Sequence, residues 1–89
     1  MKYVALLTIV DPELNQRVRP DHLKYISDLY EQGKVVMAGP FTDGKGGMVV
    51  YECDSEAQAS ELANADPVVK AGARTLELRA WQALDLPVR

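Results

Sequence analysis

Apolar and polar positions alternate between two periods along the chain. Tyr3 to Val10 is a short run rich in β-branched and aliphatic residues, ended by Asp11-Pro12, a pair that cannot continue a strand ladder; it predicts the first strand. Leu23, Ile26, Leu29 and Tyr30 then recur at three- and four-residue spacing, with Pro20 placed where a first helical turn tolerates proline and Gly33 as a left-handed cap, so the first helix is expected between those two residues. Lys34 to Gly39 and Met48 to Cys53 predict the second and third strands, paired as a hairpin through the Gly-rich Asp43 to Gly47 connection. Ser55 and Gln58 have capping-box spacing and predict a helix from about Ser55 to Asn64. Asp66-Pro67 restarts a helical turn that Gly72 ends, and Arg74 to Trp81 alternates as a last strand, with Leu76, Leu78 and Ala80 on one face and Thr75, Glu77, Arg79 and Trp81 on the other.

The order β-α-β-β-α-β predicts an α+β fold of ferredoxin-like type, a four-stranded antiparallel sheet with the helices on one face. In the first strand Val4, Leu6 and Val10 oppose Tyr3, Ala5, Leu7 and Ile9, and in the third Met48 and Val50 oppose Val49 and Tyr51, so neither sheet face is polar. A half-exposed antiparallel sheet alternates apolar with polar residues; two apolar faces call for a second layer that so short a chain does not supply. The expected source is a second copy, giving an isologous homodimer with facing sheets.

Composition narrows the function classes. The 89 residues fit one domain, residues 1–89, and a net charge of −3, with ten basic residues scattered among thirteen acidic ones, argues against nucleic acid as a partner. The run Tyr3 to Val10 is far short of the roughly 20 residues needed to cross a bilayer, and it lacks a signal-peptide cleavage pattern, so no membrane partner is expected. The lone Cys53 cannot form an internal disulfide, which favours a cytoplasmic location.

Chemistry has few carriers. His22 is the only histidine, so proton transfer, if present, falls to it; on the residues alone it reads either as a solvated helix-surface side chain or as a base near the head of the helix, displaced from the Leu23, Ile26 and Leu29 stripe. Asp66, directly before Pro67, is a favoured N-cap. The two roles open to Asp66 are compatible: one carboxylate oxygen can accept a backbone N–H while the other accepts Nδ1–H of an imidazole, which fixes the tautomer and makes the histidine a positioned base. The Asp43-Gly44-Lys45-Gly46-Gly47 stretch lacks a phosphate-loop ending and joins two strands, so a hairpin turn is expected. Cys53 is expected as a small buried hydrophobe, and Asp11, Glu13 and Asp21 as turn and first-turn helix acids. One histidine and one cysteine leave only carboxylates as further ligands, without EF-hand spacing, so neither a metal nor a cofactor is expected.

Arg19-Pro20-Asp21-His22-Leu23, then Gly33, then Ala38-Gly39-Pro40, and later Asp66-Pro67-Val68-Val69-Lys70-Ala71-Gly72 form an ordered set that resembles the YciI-like family of small dimeric α+β barrel proteins. The resemblance covers nearly the whole chain. It implies a ferredoxin-like dimer, a histidine–aspartate active site at His22 and Asp66, and a pocket wall at Gly39 and Pro40 continued by Phe41. One activity among similar proteins is dehydrochlorination of a chlorinated hydroxyhydroquinone in bacterial chlorophenol breakdown. The resemblance thus implies a carbon–halide lyase acting without a cofactor on a small phenolic or quinone-like substrate. The alternatives are an isomerase or other proton-transfer lyase on a related lactone or quinone, and a non-catalytic dimer that holds a small molecule.

Overall fold

A computed structural model of the chain describes residues 1–88. Its elements are β1 (Lys2–Ile9), α1 (Pro12–Glu31), β2 (Val35–Pro40), β3 (Gly46–Glu52), α2 (Glu56–Asn64), α3 (Pro67–Lys70) and β4 (Arg74–Trp81). The four strands form one sheet in the order β2-β3-β1-β4 with every neighbouring pair antiparallel, which is the ferredoxin-like arrangement expected from the element order. Alternation along β1 sends Tyr3, Ala5 and Leu7 beneath the helices, where they join Leu29, Val35, Val49, Tyr51, Cys53, Ala59, Ala63 and Val68 in one core.

The first helix differs from its expected start. Asp11 is its N-cap, accepting the Leu14 N–H at 3.2 Å, and Pro12 occupies the first helical turn with Glu13 beside the positive end of the helix dipole. Asp11-Pro12 ends the strand by starting a helix, and Pro20 lies inside that helix. The eight extra residues add Leu14 and Val18 to the apolar face and so move its centre. Leu14, Val18, Tyr25, Ile26 and Leu29 pack toward the core, with Asn15 and His22 buried among them, whereas Leu23 is partly exposed and Tyr30 largely so. His22 therefore sits within the stripe, near the middle of a 20-residue helix, and is not a solvated surface histidine.

Other boundaries follow local chemistry closely. Gly33 and Gly72 take φ of 77° and 78° just past α1 and α3, the left-handed conformation glycine adopts without a Cβ penalty. Ser55 caps α2 by accepting the Gln58 N–H at 3.1 Å, and the Gln58 side chain reaches back to the Asp54 N–H at 3.0 Å, one residue beyond the usual capping-box partner. Val10 lies outside β1 and is exposed. Between β2 and β3 the Gly-rich segment is a hairpin turn, closed by Phe41 N–H donating to the Gly46 carbonyl at 2.8 Å.

A bulge between Val35 and Met37 sets which β2 side chains meet the helices. Val35 opposes Tyr51 on the helix face; after the extra residue Met37 opposes Val50 on the other face, and Ala38 and Pro40 oppose Val49 and Gly47 beneath α1. The face away from the helices carries Val4, Leu6, Met48 and Val50 in its two central strands, with Met37 and Trp81 exposed at the flanks. Polar residues on that face are Thr75, Glu77 and Arg79 of β4, which alternate with the inward Leu76 and Leu78, and Lys2, Thr8 and Glu52 toward the ends of β1 and β3. Among the described residues no helix is long and apolar enough to cross a membrane.

Candidate active site

Helical periodicity aligns Asn15, Arg19, His22 and Ile26 along one face of α1, at successive spacings of four, three and four residues. His22 retains only 5% of its surface exposed, and Asp66 retains none. Both carboxylate oxygens of Asp66 lie 2.8 Å from His22 Nδ1. An ionised carboxylate only accepts hydrogen bonds, so Nδ1 carries the proton and donates it to Asp66. Nε2 is thereby the nitrogen free to act.

Asp66 is fixed by its own backbone. As N-cap of α3 it accepts the Val68 N–H through Oδ1 at 3.2 Å, while its carbonyl accepts from the Val69 and Lys70 N–H groups, each at 2.9 Å. One residue thus caps a helical turn and orients an imidazole across the core, joining segments 44 residues apart in sequence. Two tyrosines nearby remain protonated. Burial, with the Asp66 charge adding to it, raises the Tyr51 and Tyr25 phenols above their ordinary range, and Tyr25 donates to the Leu62 carbonyl at 2.7 Å.

His22 forms part of the wall of a cavity of about 140 Å³ between α1 and the sheet. Leu7, Ile26, Ala38 and Val49 supply its apolar floor and side, and Gly39 and Pro40 also line it. Phe41 lines a neighbouring surface depression with Met37, Gly39 and Pro40, and remains partly exposed. An apolar cavity of about 150 Å³ holds a benzene molecule, so this volume suits one six-membered ring.

Arg19 and Arg74 also line the cavity. Arg74 is 8% exposed, and its Nε donates to Asn15 Oδ1 at 2.7 Å. Burial lowers the affinity of its guanidinium for the proton below the ordinary arginine value, the Asp66 carboxylate opposes that shift and the Arg19 charge reinforces it. Neither Asn15 nor Arg74 was singled out from the sequence, although a signal was there. Carrying the Leu76 and Leu78 alternation back two residues places Arg74 on the buried face, and extending the helical stripe back to Pro12 places Asn15 beside it.

Known proteins resemble the chain in both sequence and fold. A protein of Bacillus subtilis (strain 168), known only as the uncharacterized protein YjpA, is 34% identical over 77 residues, covering 86% of this chain and 91% of its own. Among solved structures, the 5-chloro-2-hydroxyhydroquinone dehydrochlorinase TftG of Burkholderia phenoliruptrix AC1100, in complex with 2,5-dihydroxybenzoquinone, superimposes with a TM-score of 0.77 over 92% of this chain and 94% of that one, at 20% identity. At that identity the likeness is one of fold. The YCII-related domain matches residues 1–82, and the chain belongs to that family.

Proposed function

We propose that the protein moves protons on a small oxygenated ring, and that its reaction is the dehydrochlorination of a chlorinated hydroxyhydroquinone to a hydroxybenzoquinone. The observation that carries this reading is His22 held by a buried carboxylate at the wall of a cavity sized for one six-membered ring. The dehydrochlorinase of similar fold, solved with a quinone-like ligand, supports the choice of ring.

The chemistry suits these side chains. Chloride leaves poorly from an aromatic carbon, but the triol can tautomerise, placing chlorine on a tetrahedral carbon beside a carbonyl. In this mechanism His22 Nε2 takes a phenolic proton and returns one to that carbon. A second phenolic proton is then lost as chloride departs with its bonding electron pair, leaving the hydroxybenzoquinone and HCl. The ring thereby reaches the quinone level without an external oxidant. Asp66 holds Nδ1–H and stabilises the imidazolium formed between the two proton transfers. General acid–base assistance of this kind contributes roughly 10²- to 10⁴-fold, a useful factor for an already electron-rich substrate.

Purified protein incubated anaerobically with the chlorinated hydroxyhydroquinone should release free chloride faster than buffer, and His22→Ala should lose that acceleration. Chloride release at the buffer rate removes the reaction; full activity in His22→Ala removes the mechanism.

The same reading includes a homodimer. Val4, Leu6 and Met48 on the helix-free sheet face, flanked by exposed Met37 and Trp81, form an apolar surface suited to the sheet of a second copy. Light scattering at micromolar concentration should give twice the 9.8 kDa chain mass, and a monomer mass would leave that face without its partner.

A further inference from the structure

The proton transfers proposed above use His22 and Asp66 and leave the opposite charge pattern of the cavity unexplained. In a chain of net charge −3, the cavity is lined by two arginines and a histidine and by no carboxylate among the described residues. Arg74 is the more unusual of the two. It is nearly buried, yet no acidic side chain among the described residues lies within 4 Å of it; the Asp66 carboxylate acts on it from farther away and is already engaged by His22, and burying a cation without a directly paired counter-charge is unfavourable unless something else meets it.

The partner it does have is informative. Asn15 Oδ1 accepts the Nε–H at 2.7 Å, which fixes the plane of the guanidinium without cancelling its charge. An aspartate in the same place would orient Arg74 equally well and neutralise it. No fully enclosed side-chain polar atom lacks a partner among the described residues, and Nε is the guanidinium atom bonded within the protein; the Nη groups are therefore not sealed off, in a side chain that lines the cavity. Two Nη groups in a fixed plane form a fork that matches an anionic oxygen better than a point charge does.

We infer that Arg74, set by Asn15, is the specificity-determining contact of this cavity and selects rings bearing an ionised oxygen, a phenolate or quinone enolate, over neutral rings of the same size. Arg74 touches the ligand; Asn15 is a positioning residue acting through it. The inference rests on the proposed ring-binding cavity but not on loss of chloride. It also places the two chemistries on separate walls: His22 handles the proton, and the arginine fork holds the negative charge that develops when the proton leaves.

Calorimetric titration with two probes tests this. 2,5-Dihydroxybenzoquinone has hydroxyls that are vinylogous carboxylic acids, ionised near neutral pH, whereas hydroquinone is neutral and of similar size. The wild-type protein should prefer the quinone by tenfold or more. Loss of a charge-assisted hydrogen bond weakens binding by about tenfold to hundredfold, so Arg74→Met should lose that much affinity for the quinone and little for hydroquinone. Asn15→Asp retains the Nε acceptor and supplies a counter-charge; it should keep or raise the melting temperature while reducing the preference for the anion by at least tenfold, a separation that a merely structural role for Asn15 does not produce.

Equal affinity of the wild-type protein for the two probes overturns the inference, as does a folded Arg74→Met or Asn15→Asp protein with the preference intact. Failure of the proposed reaction has a different signature. Anion preference that depends on Arg74, without chloride release, removes the dehydrochlorination and leaves this inference standing; chloride release with a preference indifferent to Arg74 does the reverse.

Discussion

Asp66 carries two contacts whose removal has separable consequences. Asp66→Ala abolishes the acceptor of the Val68 N–H and the partner of His22 Nδ1 in one step. Loss of an N-cap costs about 1 kcal/mol. Loss of a buried hydrogen bond to a charged group costs about 1.5–3 kcal/mol, and because neither side chain is exposed, solvent screening does not reduce it. The alanine variant is therefore expected to be destabilised by about 2.5–4 kcal/mol. Asp66→Asn keeps a cap of equal rank and an amide oxygen that can still accept one N–H, so its loss should stay near 1 kcal/mol. Catalysis should not follow stability. An asparagine amide can donate to Nδ1 and favour the wrong tautomer, which in a histidine–carboxylate site lowers turnover by as much as about 10⁴-fold. The assay is urea unfolding followed by far-ultraviolet circular dichroism at one fixed protein concentration, since self-association adds to apparent stability, alongside chloride release from the same preparations. An alanine variant within about 0.5 kcal/mol of the parent would refute the energetic argument. An asparagine variant with full turnover would refute the need for a carboxylate behind His22.

Three further outcomes are expected. A Cβ on Gly46 would overlap the Leu7 carbonyl oxygen across the β1–β3 pair, so Gly46→Ala should lower the melting temperature, with a cost of about 1–3 kcal/mol from overpacking; an unchanged melting curve would show that β3 can shift without penalty. Pro20 supplies no N–H to the Gln16 carbonyl in mid-helix, and Pro20→Ala restores that bond; it should stabilise the fold by about 1–2 kcal/mol after allowing for the freer unfolded chain, and a drop in stability would mean that the proline ring itself packs usefully. Tyr25 and Tyr51 both hold their protons more tightly in the folded state, so the unfolded chain releases them first. The stability they carry is complete below the ordinary phenol value of about 10 and falls as pH climbs above it; urea midpoints should decline there, less steeply in Tyr51→Phe.

Where local chemistry and tertiary packing demand the same residue, the sequence was legible. Gly33, Ser55, Gly72 and the alternation of Arg74–Trp81 fix element ends by backbone rules that hold in any fold, and they fall where the pattern placed them. The start of α1 was not legible because Pro20 and Pro12 are equally acceptable in a first helical turn. Leu14 and Val18, at four-residue spacing, carried the signal for the longer helix, but Pro20 between them and Leu23 reads as a boundary. The bulge before Met37 left no trace either: Val35, Val36, Met37 and Ala38 are all apolar, so a one-residue shift of register does not disturb the pattern.

The start of α1 bears on the site, because the apolar residues that the helix contains locate the centre of its buried face and so the polar residues buried with it. Leu23, Ile26, Leu29 and Tyr30 alone place the centre of the apolar face too far toward Leu23; adding Leu14 and Val18 moves it toward His22 and Asn15. The same holds on β4, where Arg74 occupies an apolar phase. Asn15, His22, Asp66 and Arg74 are the buried polar side chains among the described residues, and each meets another of the four: His22 with Asp66, Asn15 with Arg74. A buried polar group costs stability unless it is partnered, so two such pairs flanking one cavity are a concentration of otherwise unfavourable burial. Asp66 has a stabilising role as the N-cap of α3, but a fold selected for stability alone has no such reason to bury Asn15, His22 and Arg74. Their placement is what the proposed use of the cavity calls for, with one pair set for the proton and the other for the charge.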